Sequence, residues 1–147
     1  MGKDIFAFAH RFFVEPLVFV DGEIKMRALI VDDSRPIRRI ESDILRELGF
    51  ETSDACNGRE AWERLQAAPL PDVVLVDWNM PEMDGLEFVT AVRRDSRYAG
   101  MVVLMVTTET ETDQMLRALS AGADEYLMKP FQKEGLVDKL RLIGAVK

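Results

Sequence analysis

The stretch DVVLVDWNMP, residues 72–81, decides the fold. Its apolar run, unbroken by polar alternation, is the pattern of a strand buried on both faces. The run carries a carboxylate, Asp77, to its very end, and Trp78, Asn79 and the helix-breaking Met80-Pro81 then turn the chain away. Strands buried on both faces belong to parallel sheets sheathed by helices, so the flanking sequence should alternate strand and helix.

It does. RALIV (27–31) reads as a first strand, and PIRRIESDILREL (36–48) as a helix with Ile37, Ile40, Ile44 and Leu48 on one stripe before Gly49. ETSDA (51–55) is a weak strand, followed by a helix over 58–68 that carries Trp62 and Leu65 inward. After the strand at 72–76 come a helix over 86–95, a strand at 101–106 and a helix over 111–121 closed by Gly122. EYLM (125–128) and a helix over 133–146 burying Leu136, Leu140 and Ile143 complete the pattern. The expectation is an α/β domain over residues 27–147: a (βα)5, doubly wound five-stranded parallel sheet of flavodoxin-like type.

Residues 1–26 stand apart as an atypical N-terminal extension of unknown role. They hold Phe6, Phe8, Phe12, Phe13 and Phe19, but His10, Arg11 and Glu15-Pro16 break the apolar runs well short of a membrane span. No basic-then-apolar signal-peptide layout is present. The segment reads as packing on the domain or a neighbouring copy, or as a docking segment; Met26-Arg27 resembles a second natural start. A net charge of −7 argues against a nucleic-acid binder. Cys56 is the single cysteine, which leaves no internal disulfide and no cysteine-based zinc site and suits a reducing cytoplasm.

In doubly wound sheets the ligand site lies at the carboxyl ends of the strands. There the sequence places Asp32 and Asp33, Asp77, Thr107-Thr108, and Lys129-Pro130. Each alone has a plain structural reading: Asp33-Ser34 as a helix cap, Lys129 as a solvated charge. Together they do not, because two carboxylates about 4–5 Å apart repel by roughly 4 kcal/mol at an effective dielectric of about 20. Three need a cation or a proton, and carboxylate and carbonyl oxygens are the donors Mg²⁺ prefers. Met80-Pro81 and Asp84-Gly85 read as the turn into the next helix, and Trp78 as an apolar cover over the pocket mouth or a loop aromatic. Arg35, Arg38 and Arg39 read as a solvated helix face or a basic docking face.

VDD after the first strand, VDWNMPEMDG, VTTE and EYLMKPF, in this order, resemble the motifs of the response-regulator receiver domain, above all its stand-alone chemotaxis (CheY-like) members. The resemblance covers roughly 27–147. It implies that Asp77 is the phosphoacceptor, and that Asp33, Asp77 and the Asn79 backbone carbonyl ligate Mg²⁺ while Asp32 holds it through water. It implies phosphoryl contacts from Thr107 and Lys129, a cis Lys129-Pro130 bond, and an inward swing of Tyr126. Asn79 and Glu109 would tune how readily water reaches the phosphoryl group. The implied partners are a sensor histidine kinase or histidine phosphotransfer protein, and an effector contacting about residues 109–147. The protein would act on itself only and not as a turnover enzyme.

Three other readings compete. A phosphorelay intermediate or phosphate sink would share the chemistry but lack an effector. A haloacid-dehalogenase-like phosphatase needs an acid two residues after the nucleophile, where Asn79 stands. A dinucleotide fold needs a glycine-rich first turn, and VDDSRP has none.

Overall fold

The computed structural model describes residues 19–20, 23–67, 69–108 and 112–146. Five strands form one parallel sheet: β1 (Arg27–Val31), β2 (Glu51–Ala55), β3 (Val73–Asp77), β4 (Val102–Thr107) and β5 (Glu125–Met128). Their spatial order is β2-β1-β3-β4-β5, with every neighbouring pair parallel. Five helices connect and follow them: α1 (Arg35–Glu47), α2 (Gly58–Ala67), α3 (Gly85–Arg94), α4 (Thr112–Ala121) and α5 (Lys133–Leu142). Upstream, Phe19–Val20 and Glu23–Ile24 pair as a short antiparallel ribbon separate from this sheet.

Because side chains alternate across a strand, the central strands feed two cores. Leu29, Val31, Val74, Val76, Val103 and Met105 meet residues of α2, α3 and α4 on one face, among them Leu65, Phe88 and Val92. Ala28, Ile30, Val73, Leu75, Leu104 and Val106 meet α1 and α5 on the other, including Leu45, Leu136 and Leu140. This is the doubly wound arrangement expected from the unbroken apolar strands. β2 is one of the two edge strands, and its polar sequence follows from its exposure.

The cap geometry explains where helices begin. The Ser34 side chain accepts the Ile37 amide, so α1 starts at Arg35 rather than Pro36. Asp84 and Glu87 form a capping box at α3. One expectation holds only in part: Ile44 and Leu48 of the apolar stripe of α1 pack against the core, but Ile40 does not. Ile40 is 52% exposed, whereas Glu41, Ser42 and Leu45 point inward. The buried face is turned from Ile40 toward Glu41 and Leu45, and a carboxylate goes with it. The inward positions of Leu65, Leu136, Leu140 and Ile143 are as expected.

Candidate functional site

The register brings the strand ends level. Val31 lies opposite Val76, Asp77 opposite Val106 and Thr107 opposite Met128, so the residues following or ending β1, β3, β4 and β5 share one edge. Asp32 and Asp77 are buried there, at 1% and 7% exposure, and Asp33 is exposed. One oxygen from each of these three carboxylates lies within 4.8 Å of the others. Lys129, from the far end of the chain, donates to Asp32 Oδ2 at 2.7 Å, and its Nζ lies 3.3 Å from Asp77 Oδ1. The Ser34 amide donates to Asp32 Oδ1 at 2.8 Å and fixes that carboxylate's orientation. Thr107 is buried beside them at the end of β4, and its carbonyl accepts the Lys129 amide at 2.8 Å. The Lys129-Pro130 peptide is cis, as the motif implied.

These charges act on one another. Burial, and then the neighbouring Asp32 charge, push the Asp77 carboxyl up to about 6, while Lys129 pulls it back. Burial alone would lower Lys129, but its hydrogen bond to Asp32 and the Asp77 charge hold the ammonium above its usual range. Asp77 is thus a buried carboxylate whose negative charge is only partly balanced. An all-oxygen donor set with surplus negative charge fits a hard divalent cation such as Mg²⁺.

The loop after β3 is pinned tightly. The Gly85 amide donates to the Trp78 carbonyl at 2.8 Å, closing residues 78–85 against the strand end. Trp78 stands in the bend after β3, the loop aromatic of the two readings, but at 7% exposure it packs into the core shared with α2, α3 and α4. The Arg117 guanidinium lies over its ring, 5.8 Å from the centroid. Asn79 is exposed just past Asp77, and Glu109 lies outside the described residues. Tyr126 is half-buried on the edge strand β5. Lys139 stands 4.8 Å over its ring and 3.3 Å from Glu125, whose carboxylate also accepts the Tyr126 amide at 3.0 Å.

Residues 28–141 match the family model described as the response regulator receiver domain. The chain belongs to the response regulator receiver family. Among receivers, it is 44% identical over 119 residues to the chemotaxis protein CheY1 of Helicobacter pylori, a match covering 80% of this chain and 96% of that protein. It is 42% identical over 119 residues to the chemotaxis protein CheY of Pseudomonas aeruginosa, covering 80% of this chain and 95% of that one. The solved chemotaxis response regulator CheY4 of Vibrio cholerae is 41% identical with a TM-score of 0.76, covering 81% of this chain and 98% of that chain. Among the described residues no helix is long and apolar enough to cross a membrane.

Sequence reasoning missed one residue of this receiver's site. Glu41 is 1% exposed on α1, and its Oε2 has no hydrogen-bond partner. Burial, reinforced by the Asp32 charge and opposed by Lys129, pushes its carboxyl up to about 8. It is therefore a neutral acid near neutral pH, within electrostatic reach of the same pocket. The available signal was Glu41, Ser42 and Leu45 as an alternative inward face of α1. A glutamate within a helix ordinarily reads as solvated, which hides that signal.

Proposed function

We propose that this receiver takes a phosphoryl group onto Asp77 from a phosphohistidine on a histidine kinase or phosphotransfer protein. The observation that carries the reading is the gathering of Asp32, Asp33 and Asp77 within 4.8 Å with Lys129 inserted among them. Asp77 ends the buried strand β3 at the carboxyl edge of the sheet. One of its carboxylate oxygens attacks phosphorus, the phosphorus–nitrogen bond breaks, and the imidazole leaves. Asp33, Asp77 and the Asn79 carbonyl would hold Mg²⁺, with Asp32 acting through water. Bound there, Mg²⁺ supplies the positive charge that offsets the carboxylates and the transferred oxygens.

Lys129 already lies within ion-pair distance of Asp77 and is placed to meet a phosphoryl oxygen there. The Thr107 hydroxyl serves the same group from β4, and Tyr126 responds by moving inward. Asn79 and Glu109 set how fast water removes the phosphoryl group. The chemistry is self-modification and not turnover of a substrate. Signalling then runs through protein contact on the surface of α4, β5 and α5, within about residues 109–147. Exposed Leu116, Leu119 and Leu142, at 58%, 38% and 69%, support that choice of surface. The relatives' names support a chemotaxis pathway, and the setting we propose is the cytoplasm; a relay or phosphate-sink role would share the phosphorylation chemistry but lack the effector.

The test is labelling with a small acyl phosphate. We expect a label that requires Mg²⁺ and disappears in Asp77→Asn. An Asp77→Asn protein labelled as strongly as wild type refutes the acceptor. Multiple turnover of small phosphoesters, lost in that variant, returns the phosphatase reading.

A further inference from the structure

Outside the acidic pocket, four guanidinium groups gather between α1 and the edge strand β2. A groove of about 270 Å³ runs there, lined by Arg35, Arg38, Arg39 and Arg46 together with the hydroxyl residues Ser42 and Thr52. Residues 35, 39, 42 and 46 follow one line along the helix, about 16 Å from end to end at 1.5 Å per residue. The chain as a whole carries a net charge of −7, so this cationic seam is local and runs against the overall balance.

Two features separate the seam from an ordinary solvated helix face. Arg35 and Arg39 sit in the first turns of α1, which has no acidic residue in its first turn. The positive end of the helix dipole disfavours guanidinium groups there. Arg35 also faces Arg38 and Arg39 at the i,i+3 and i,i+4 positions, where like charges weaken a helix. The arrangement therefore costs the free protein stability. The seam is also not a counter-charge for the acidic pocket: the charges acting most strongly on Asp77 are Asp32, Lys129 and Asp33.

The floor of the groove is ordered. Arg38 is tied by 2.8 Å to the Asp54 carboxylate and donates at 2.7 Å to the Asp32 carbonyl. Arg46 donates to the Thr52 hydroxyl at 3.0 Å. Arg35 and Arg39 are exposed and take part in no ion pair among the described residues. Their forks are thus open to an incoming anion, while Arg38 and Arg46 mark its two sides. Planar guanidinium groups match phosphate oxygens in bidentate fashion, and their spread along the helix suits more than one phosphate.

We propose that the α1–β2 groove binds a small molecule carrying two or more phosphate groups. Its concave shape and buried Ser42, 7% exposed, favour a compact ligand over a flat protein surface. Arg38 connects the two sites, because its guanidinium touches both Asp54 in the groove and the backbone of Asp32 in the pocket.

Calorimetric titration of the full chain with pyrophosphate and with a nucleoside triphosphate, in chelator without divalent ions, tests the site. We expect saturable one-to-one binding by both, weakened about tenfold or more in the Arg35→Gln/Arg39→Gln variant. Comparable affinities assign recognition to the phosphates; binding of the nucleotide alone, lost in the same variant, assigns the site to a nucleotide polyphosphate. Without ligand the variant should melt no lower than wild type, since it relieves repulsion, and pyrophosphate should raise the melting temperature of the wild type only. Absence of binding by wild type, or equal binding by the variant, overturns the proposal. So does tighter binding of an acidic peptide than of either phosphate ligand, which would make the groove a protein-docking surface. Acyl-phosphate labelling of Asp77, measured on the same samples, reports separately on the phosphorylation reading.

Discussion

Gly85→Ala will destabilise the protein by about 3 kcal/mol or more and lower its melting temperature by roughly 10 °C. A Cβ at this position would stand 2.2 Å from the Asp77 carbonyl oxygen and 3.0 Å from the Trp78 Cα. Both obstacles are backbone, so neither can rotate aside as a side-chain tip would. The Gly85 amide is also committed to the Trp78 carbonyl at 2.8 Å, which fixes the approach. Relief requires pushing α3 off the end of β3, and the residue displaced with it is Asp77. Acyl-phosphate labelling should therefore fall even in the fraction that remains folded. Gly135→Ala provides the opposite case within α5. Its nearest obstacle is Leu127 Cδ1 at 3.7 Å, an ordinary contact, so the variant should gain about 0.5–1 kcal/mol from helix propensity. Paired thermal melts decide the matter, and equal melting temperatures for wild type and Gly85→Ala would show that the loop yields freely.

The second large effect is a gain. Replacing Glu41 with leucine should stabilise the metal-free protein by about 3–5 kcal/mol near pH 8. The folded-state carboxyl is pushed up to about 8 by burial and then by Asp32, against about 4.3 in an unfolded chain. The folded form therefore binds more protons than the unfolded form between those values, and stability falls as pH rises through that window. Below it both forms are protonated and the group adds no slope; above it the full penalty of a buried charge is present. Glu41→Leu removes the slope, and so does Glu41→Gln, which keeps the shape and removes the proton. Denaturant melts of the three proteins at about pH 5 and pH 8, with divalent ions chelated, should therefore diverge much more at the higher pH. Parallel stabilities at both values would mean that Glu41 ionises in the folded protein without penalty.

The difference between what was legible in the sequence and what was not follows from this residue. β1, β3 and β4 are buried on both faces, so their apolar runs state both their structure and their direction, and the polar residue that ends each run marks the sheet edge. Asp32, Asp77 and Thr107 were readable for that reason: burial forces the change from apolar to polar to occur where the strand stops; Lys129, after the half-buried edge strand β5, was readable only from its motif. Helix α1 touches the sheet along a single stripe, and its sequence offers two. Ile37, Ile40, Ile44 and Leu48 look like the core face; the packing keeps Ile44 and Leu48 at its margin, leaves Ile40 in solvent and centres on Glu41, Ser42 and Leu45. No local rule favours the stripe that contains a glutamate, because its reason lies in the pocket beyond. Trp78 is a similar case. Its position after the strand suggested a loop, and only the closure of residues 78–85 by Gly85 turns it into the core.

The ion pair between Lys129 and Asp32 joins residues 97 positions apart. A nascent chain emerging from the ribosome carries the three aspartates long before it carries their counter-charge. Until β5 docks on the sheet edge, the carboxylates repel one another and nothing balances Asp32. The last strand to be made is thus the one that quiets the pocket, and chains that stop short of it are left with an electrostatic fault at their centre. Quality control in the cell would meet such fragments as unstable ones. A chain that ends before β5 would therefore lack the ammonium that Asp32 and Asp77 share.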